Sequence, residues 1–206
     1  MTVAATELPD RVGGRLALDF LNTVDPRHAT DRREYLGSYE RLLAWAADTG
    51  SVDRATVGRL RAAADQEPAA AAAALRRVRD YREALYRLVA AALAERPVQD
   101  ADLALVNAVL REATVHHLLL PGATGGVRDG WLSAGGLDEM LWPVAVDAWD
   151  LLTEPVLARV KECPGDEGAC GWLFLDTSRS GTRRWCDMRT CGNRAKARAH
   201  YSRARG

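Results

Sequence analysis

No cysteine occurs before Cys163 in this chain of 206 residues. The first three quarters therefore offer no thiol for a metal or a disulfide. They need none, because a chain of this length can bury a sizeable core without staples. The opening stretch MTVAATELPDRVGG lacks a basic region followed by an apolar one, so a secretory signal peptide is not expected. No run is apolar enough to cross a bilayer; the alanine-rich stretch is cut by Arg76, Arg77, Arg79 and Asp80. The expectation is a cytoplasmic protein with no membrane partner, in a compartment where thiols stay reduced. Also absent are a G-x-G-x-x-G turn, a phosphate-binding P-loop and an H-E-x-x-H helix, so no enzyme is expected. No repeat of solenoid length is present.

What is present is the composition of a globular protein, 48% apolar and 27% charged. The formal net charge of zero hides a division. From Asp176 to Gly206 nine basic residues face two acids, a balance of +7 that leaves −7 on the rest. Such asymmetry points to a polyanion as the partner of the tail.

The chain up to residue 160 reads as one mostly helical domain. Leu16, Leu18 and Phe20 in GGRLALDFLNTVD fit a short strand, while Leu18 and Leu21 fit a helical turn, and both remain open. Ser38 can cap a helix over YERLLAWAADT that stops at Gly50. Asp53 can cap a second. Pro68 suits the first turn of a long helix reaching about Arg96, with Leu75, Val78, Leu85, Val89 and Leu93 on one side. Asp100 can cap the next. ATVHHLLLPGATGGVRDGWLSAGG is β-prone and broken by Pro-Gly and Gly-Gly, which predicts a β-hairpin with His116 and His117 as a strand pair. A helix starting near Asp138 carries Leu141, Val144, Ala148, Leu151 and Leu152 towards Cys163, with Pro155 as a kink or break. No flexible linker follows, so residues 161–206 are expected to dock on that last helix. The fold class is α+β, mostly α, with a small β-hairpin in the helical domain and a treble-clef-like module after it.

Cys163, Cys170, Cys186 and Cys191 form two pairs on turn-forming segments, CPGDEGAC and CDMRTC. Two pairs on two tight turns suit a tetrahedral zinc site, and four cysteinates would leave no open coordination position, making the ion structural. Between the pairs, an apolar strand at Trp172–Leu175, turn residues 177–181 and a return at Arg183–Trp185 predict a hairpin. Buried thiols and disulfides are the alternatives. His200 is a further candidate ligand.

After Met188 no large aliphatic residue follows, so the last segment has no stripe with which to bury itself. Metal binding can supply on the order of 10 kcal/mol or more of folding free energy to such modules. A helix from Gly192 would set Arg194, Arg198, Tyr201 and Arg205 on one face and Lys196, His200 and Arg203 on a second. The bland reading is a solvated tail, but a surface shaped only for solubility intersperses both signs. Arg183, Arg184, Arg189, Arg194, Lys196, Arg198, Arg203 and Arg205 are the candidate nucleic-acid contacts. An arginine helix can read guanine edges or grip phosphates, and both modes stay open. RNA or an acidic protein is the alternative partner. In the body, Asp19, Asn22 and Thr23 read as capping and turn residues, or as a small-molecule sensor site. Dimerisation is a further expectation for the body.

The stretch CGWLFLDTSRSGTRRWCDMRTCGNRAKARAHYSRAR resembles the CGNR zinc finger, whose naming tetrad is here Cys191, Gly192, Asn193 and Arg194. GGRLALDFLNTV and YERLLAWAADTG resemble the start of the ABATE-type domain that precedes this finger in bacterial stress-induced transcription regulators. The resemblance implies one zinc ion on Cys163, Cys170, Cys186 and Cys191, and DNA as the partner. The first cysteine pair departs from the family's spacing, with six intervening residues where four are usual. Gly192 and Asn193 are expected to serve structure: Gly192 through backbone freedom, Asn193 through helix capping or a bond to sulfur.

Overall fold

The computed structural model describes residues 8–205 apart from 123, 166 and 167, together with their side chains except those of 199 and 202–205. The ambiguous opening segment is a helix, α1 (Leu16–Leu21), with Ala17, Leu18, Phe20 and Leu21 buried. Leu16 and Asp19, only half-buried, lie on the opposite side, and six residues are too few to separate a helical period from a strand's. A two-residue ribbon follows, β1 (Val24–Asp25) against β2 (Arg33–Glu34), antiparallel, with a cis bond at Asp25–Pro26.

The expected caps then appear. Ser38 accepts from the Arg41 N–H at the start of α2 (Tyr39–Thr49), and Gly50 ends it in the left-handed region. Asp53 accepts from Thr56 N–H and opens α3 (Arg54–Gln66). Pro68 opens the long α4 (Pro68–Leu93). In α5 (Asp100–His116) the cap is Gln99, and Asp100 is the first helical residue, where its charge suits the helix dipole. The hairpin is present as β3 (His117–Pro121) and β4 (Val127–Trp131). The helix before it is longer than its β-prone sequence suggested, so His116 and His117 are not a strand pair. His116 ends the helix and stacks on Trp142 at 4.5 Å, while His117 opens the strand and stacks on Trp131 at 4.3 Å.

Helix α6 (Leu141–Thr153) is capped by Met140 rather than Asp138, and the Asp138 carbonyl accepts from the Leu141 N–H one turn earlier. Pro155 ends the helical run. A 3-10 turn (Pro155–Arg159) leads into β5 (Val160–Glu162), which pairs with β6 (Leu173–Leu175). The expected strand at Arg183–Trp185 is therefore not the partner of Trp172–Leu175. Its place is taken by residues just before the first cysteine. A π-helical turn (Met188–Gly192) and α7 (Asn193–Arg205) complete the chain.

The main core lies among α1, α2, α4, α5 and α6, with Phe20, Trp45, Tyr81 and Trp142 as its largest members. A second, small core holds the four cysteines with Trp172 and Phe174, and takes in Tyr35 and Val12 from the body. Among the described residues no helix is long and apolar enough to cross a membrane.

Candidate metal centre and basic helix

The four cysteine sulfurs lie within 4.8 Å of one another, and all four residues are buried. Cys170 and Cys186 are 3.8 Å apart, Cys186 and Cys191 3.7 Å. These separations exclude disulfides, whose sulfurs sit about 2.05 Å apart. With zinc–sulfur bonds of about 2.3 Å, a tetrahedron has sulfur–sulfur edges of about 3.8 Å. The donor set thus fits a tetrahedral ion. Hydrogen bonding among the thiols pulls Cys163 down and pushes Cys170 and Cys186 up. Holding all four as thiolates at this spacing would require a cation among them. His200 is exposed on α7 and is not part of the cluster.

Two glycines build the turns in different ways. Gly165 has φ +58°, and a Cβ there would lie 2.4 Å from the Cys170 Cβ and 2.7 Å from its backbone nitrogen. The wider first pair is thus closed by a glycine folded onto the second cysteine. Gly192 is not in the left-handed region. A Cβ there would meet the Met188 sulfur at 2.5 Å, so its smallness answers a close approach rather than an unusual φ. Asp187 caps the second turn through Arg189 N–H at 2.7 Å. Asn193 Nδ2 donates to the Arg189 carbonyl at 3.3 Å, tying the start of α7 to the metal turn rather than to a sulfur.

The module docks on residues 13–28 of the body, and not chiefly on the last helix. Leu175 N–H donates to Gly13 O at 2.8 Å; Trp172 Nε1 donates to Val24 O at 2.7 Å. Asn22, with no solvent exposure, exchanges two hydrogen bonds with the Leu173 backbone. Arg27 N–H donates to Cys170 O at 2.7 Å and His28 N–H to Ala169 O at 3.0 Å, gripping the first cysteine turn. Helix α4 supports this segment. Arg82 makes a two-pronged bond to Glu34 and donates to Thr23 Oγ1 at 2.9 Å. Arg27, almost wholly buried, donates to Glu83, lies 3.8 Å from the centre of the Tyr86 ring and contacts the Leu21 carbonyl. Tyr86 in turn donates to Gly171 O at 2.9 Å. Burial alone would raise the Glu34 and Glu83 carboxyls, but their arginine partners outweigh it and hold both below the usual range.

The candidate sensor residues are accordingly occupied. Asn22 and Thr23 use their polar atoms inside the fold, Thr23 Oγ1 also donating to Phe20 O at 2.7 Å. Asp19 Oδ1 accepts from Gly13 N–H at 2.8 Å, and burial pushes its carboxyl up to about 6. All three thus make hydrogen bonds within the fold.

Among the candidate nucleic-acid contacts, Arg183 is also structural. Its guanidinium donates to the carbonyls of Trp185 and Cys186 and lies 4.4 Å from the Phe174 ring centre. Its N–H donates to Asp176, which also accepts from Lys161 and Ser178 and is held well below the usual carboxylate range. That knot, rather than a second strand, returns the chain to Cys186. Arg184, Arg189, Arg194, Lys196 and Arg198 are exposed. The side chains of Arg203 and Arg205 lie outside the described residues. Sequence patterns gave no sign of Arg27, Arg82, Glu83 and Tyr86, whose partners are distant in the chain.

Residues 14–155 match the ABATE family, described as "Putative stress-induced transcription regulator". The chain belongs to the ABATE family. Residues 159–204 match the CGNR zinc finger, so the cysteine cluster of this ABATE protein lies in a zinc-finger module and is compatible with a zinc ion. No curated protein matches the sequence.

Proposed function

We propose that this ABATE protein is a zinc-dependent, DNA-binding transcription regulator. One structural zinc ion is held by Cys163, Cys170, Cys186 and Cys191, and α7 is the element offered to DNA. The observation that carries the reading is the course of α7: it leaves the cysteine cluster with Arg194, Lys196 and Arg198 exposed, and no acid follows Asp187. A helix with this little apolar surface gains almost nothing from packing. The ion, when bound, supplies the free energy that fixes its first turn. Arg184 and Arg189 extend the charge towards the metal turn. Phosphate contacts of this kind position a protein on a duplex, and their release of counterions makes binding salt-dependent. Reduced thiolates suit a cytoplasmic setting.

Competition tests the partner class. Zinc-loaded protein bound to labelled random-sequence duplex DNA is challenged with unlabelled duplex, with double- and single-stranded RNA, and with polyglutamate. Duplex DNA is expected to displace the probe at the lowest concentration. Displacement by RNA or polyglutamate at a tenfold lower concentration would replace DNA with that partner.

A further inference from the structure

The body is acidic as a whole, yet its β1–β2 ribbon brings exposed arginines beside the module. Asp25 and Arg33 are cross-strand partners in that ribbon. Arg32 and Arg33 are both exposed. The Arg33 guanidinium lies 4.6 Å from the centre of the Tyr35 ring, and Tyr35 is buried in the small core that contains the four cysteines. The ribbon is thus fastened to the metal centre from the body side, while the backbone of Arg27 and His28 clasps the first cysteine turn. Burial raises the Asp25 carboxyl, and the charges of Arg194 on α7 and Arg33 on the ribbon both act against that rise. An arginine of the ribbon and the first arginine of the terminal helix are thus both near one carboxylate.

We infer that Arg32 and Arg33 belong to the same polyanion-binding face as Arg189 and Arg194, so that duplex DNA is gripped jointly by the ribbon of the ABATE domain and by the zinc module. The inference rests on the DNA reading above and adds to it. The module alone is an incomplete site. Charge complementarity commits the face to the phosphate backbone: beside the exposed Asp31, Arg32 and Arg33 set two exposed guanidiniums on an element fastened at two points, and guanidiniums suit phosphate oxygens. Net charge concealed this, since in residues 24–34 Arg27, Arg32 and Arg33 are offset in the sum by Asp25, Asp31 and Glu34, of which Glu34 is engaged internally with Arg82.

The test is fluorescence anisotropy of full-length, zinc-loaded protein with random-sequence duplex DNA across a salt series. The variants are Arg32→Ala/Arg33→Ala, Arg32→Ala alone, Arg32→Lys/Arg33→Lys, and a control, Arg54→Ala/Arg76→Ala, that removes equal charge from exposed positions on α3 and α4. Removing two phosphate contacts is expected to lower the magnitude of the log–log salt slope by about 2, and Arg32→Ala alone by about 1. The lysine pair should restore most of the slope, and the control should leave it unchanged. Zinc content and the thermal midpoint verify folding, and Arg32→Ala keeps the test valid if the double variant is damaged. An unchanged slope in both alanine variants, with wild-type binding intact, would overturn this inference and leave the DNA reading standing. Equal losses in the control would overturn it as mere net charge. Absence of wild-type binding would remove both.

Discussion

Asn22 holds Leu173 as a neighbouring strand would: its Nδ2 donates to the Leu173 carbonyl at 2.8 Å, and its Oδ1 accepts from the Leu173 N–H at 2.9 Å. The two residues are 151 positions apart and both are shielded from water. This pair couples the helical body to the zinc module at β6. Asn22→Ala would leave a buried donor and a buried acceptor without partners, which costs about 2–4 kcal/mol. Urea unfolding of the zinc-loaded protein should show a loss in that range. A loss below about 0.5 kcal/mol, the scale of an ordinary surface change, would contradict the pairing.

Asp19 should leave a signature in the pH dependence of stability. Burial pushes its folded-state carboxyl up to about 6, above the value of 3.8 it has when free. Between those values the native state binds the proton and the unfolded chain does not, so the contribution of Asp19 to stability falls as pH rises and levels off above about 6. Asp19→Asn removes this dependence. The stability of the variant relative to wild type should therefore grow by about 2 kcal/mol between pH 4 and pH 7. Taking the difference between two proteins cancels the pH dependence of the metal site. A flat difference would show that Asp19 is not desolvated.

Two glycine substitutions separate metal geometry from local packing. Gly165→Ala would combine a positive φ with a clash against the Cys170 Cβ and backbone nitrogen. Displacing a ligand in this way should weaken zinc retention by about tenfold or more, measured by transfer to a competing chelator. Gly192→Ala meets mainly the mobile end of Met188, which is 46% exposed and can move aside. It should keep near-normal zinc affinity. The reverse order would mean that the second turn, not the first, sets the site.

Zinc removal should disturb the body as well as the module. The first cysteine turn accepts hydrogen bonds from Arg27 and His28, and Gly171 accepts one from Tyr86. Hydrogen exchange after chelation should accelerate at residues 24–28 together with residues 160–175, while the core of α4 and α6 stays protected. Exchange that rises only in the module would show that the ribbon is held without it.

Much of this was legible because it is local. Ser38, Gly50, Asp53 and Pro68 mark helix ends through chemistry within four residues, and the cysteine spacing announced a cluster able to hold a metal ion. What escaped depends on partners far along the chain. Leu173 pairs with Glu162 in place of the nearer Arg183–Trp185 segment, because Asp176 and Lys161 tie that return into a knot of carbonyl and carboxylate bonds. Arg183 resembled its basic neighbours in sequence, but carbonyls around Cys186 claim its guanidinium. Asn22 and Thr23 were singled out, as turn residues or as a sensor site, yet their partners, Leu173 and Arg82, had no sequence signal.

The most direct test of the account is the salt dependence of duplex DNA binding by zinc-loaded wild type and by Arg194→Ala/Lys196→Ala/Arg198→Ala. Exposed substitutions on α7 are preferable to truncation at residue 160, which would also strip Leu173 from Asn22. Wild type should bind with a steep negative slope, and the triple variant should lose about 2–3 from its magnitude while retaining its zinc and its thermal midpoint. Wild type that fails to bind DNA even at low salt, or a triple variant that binds with an undiminished slope, would contradict the central claim.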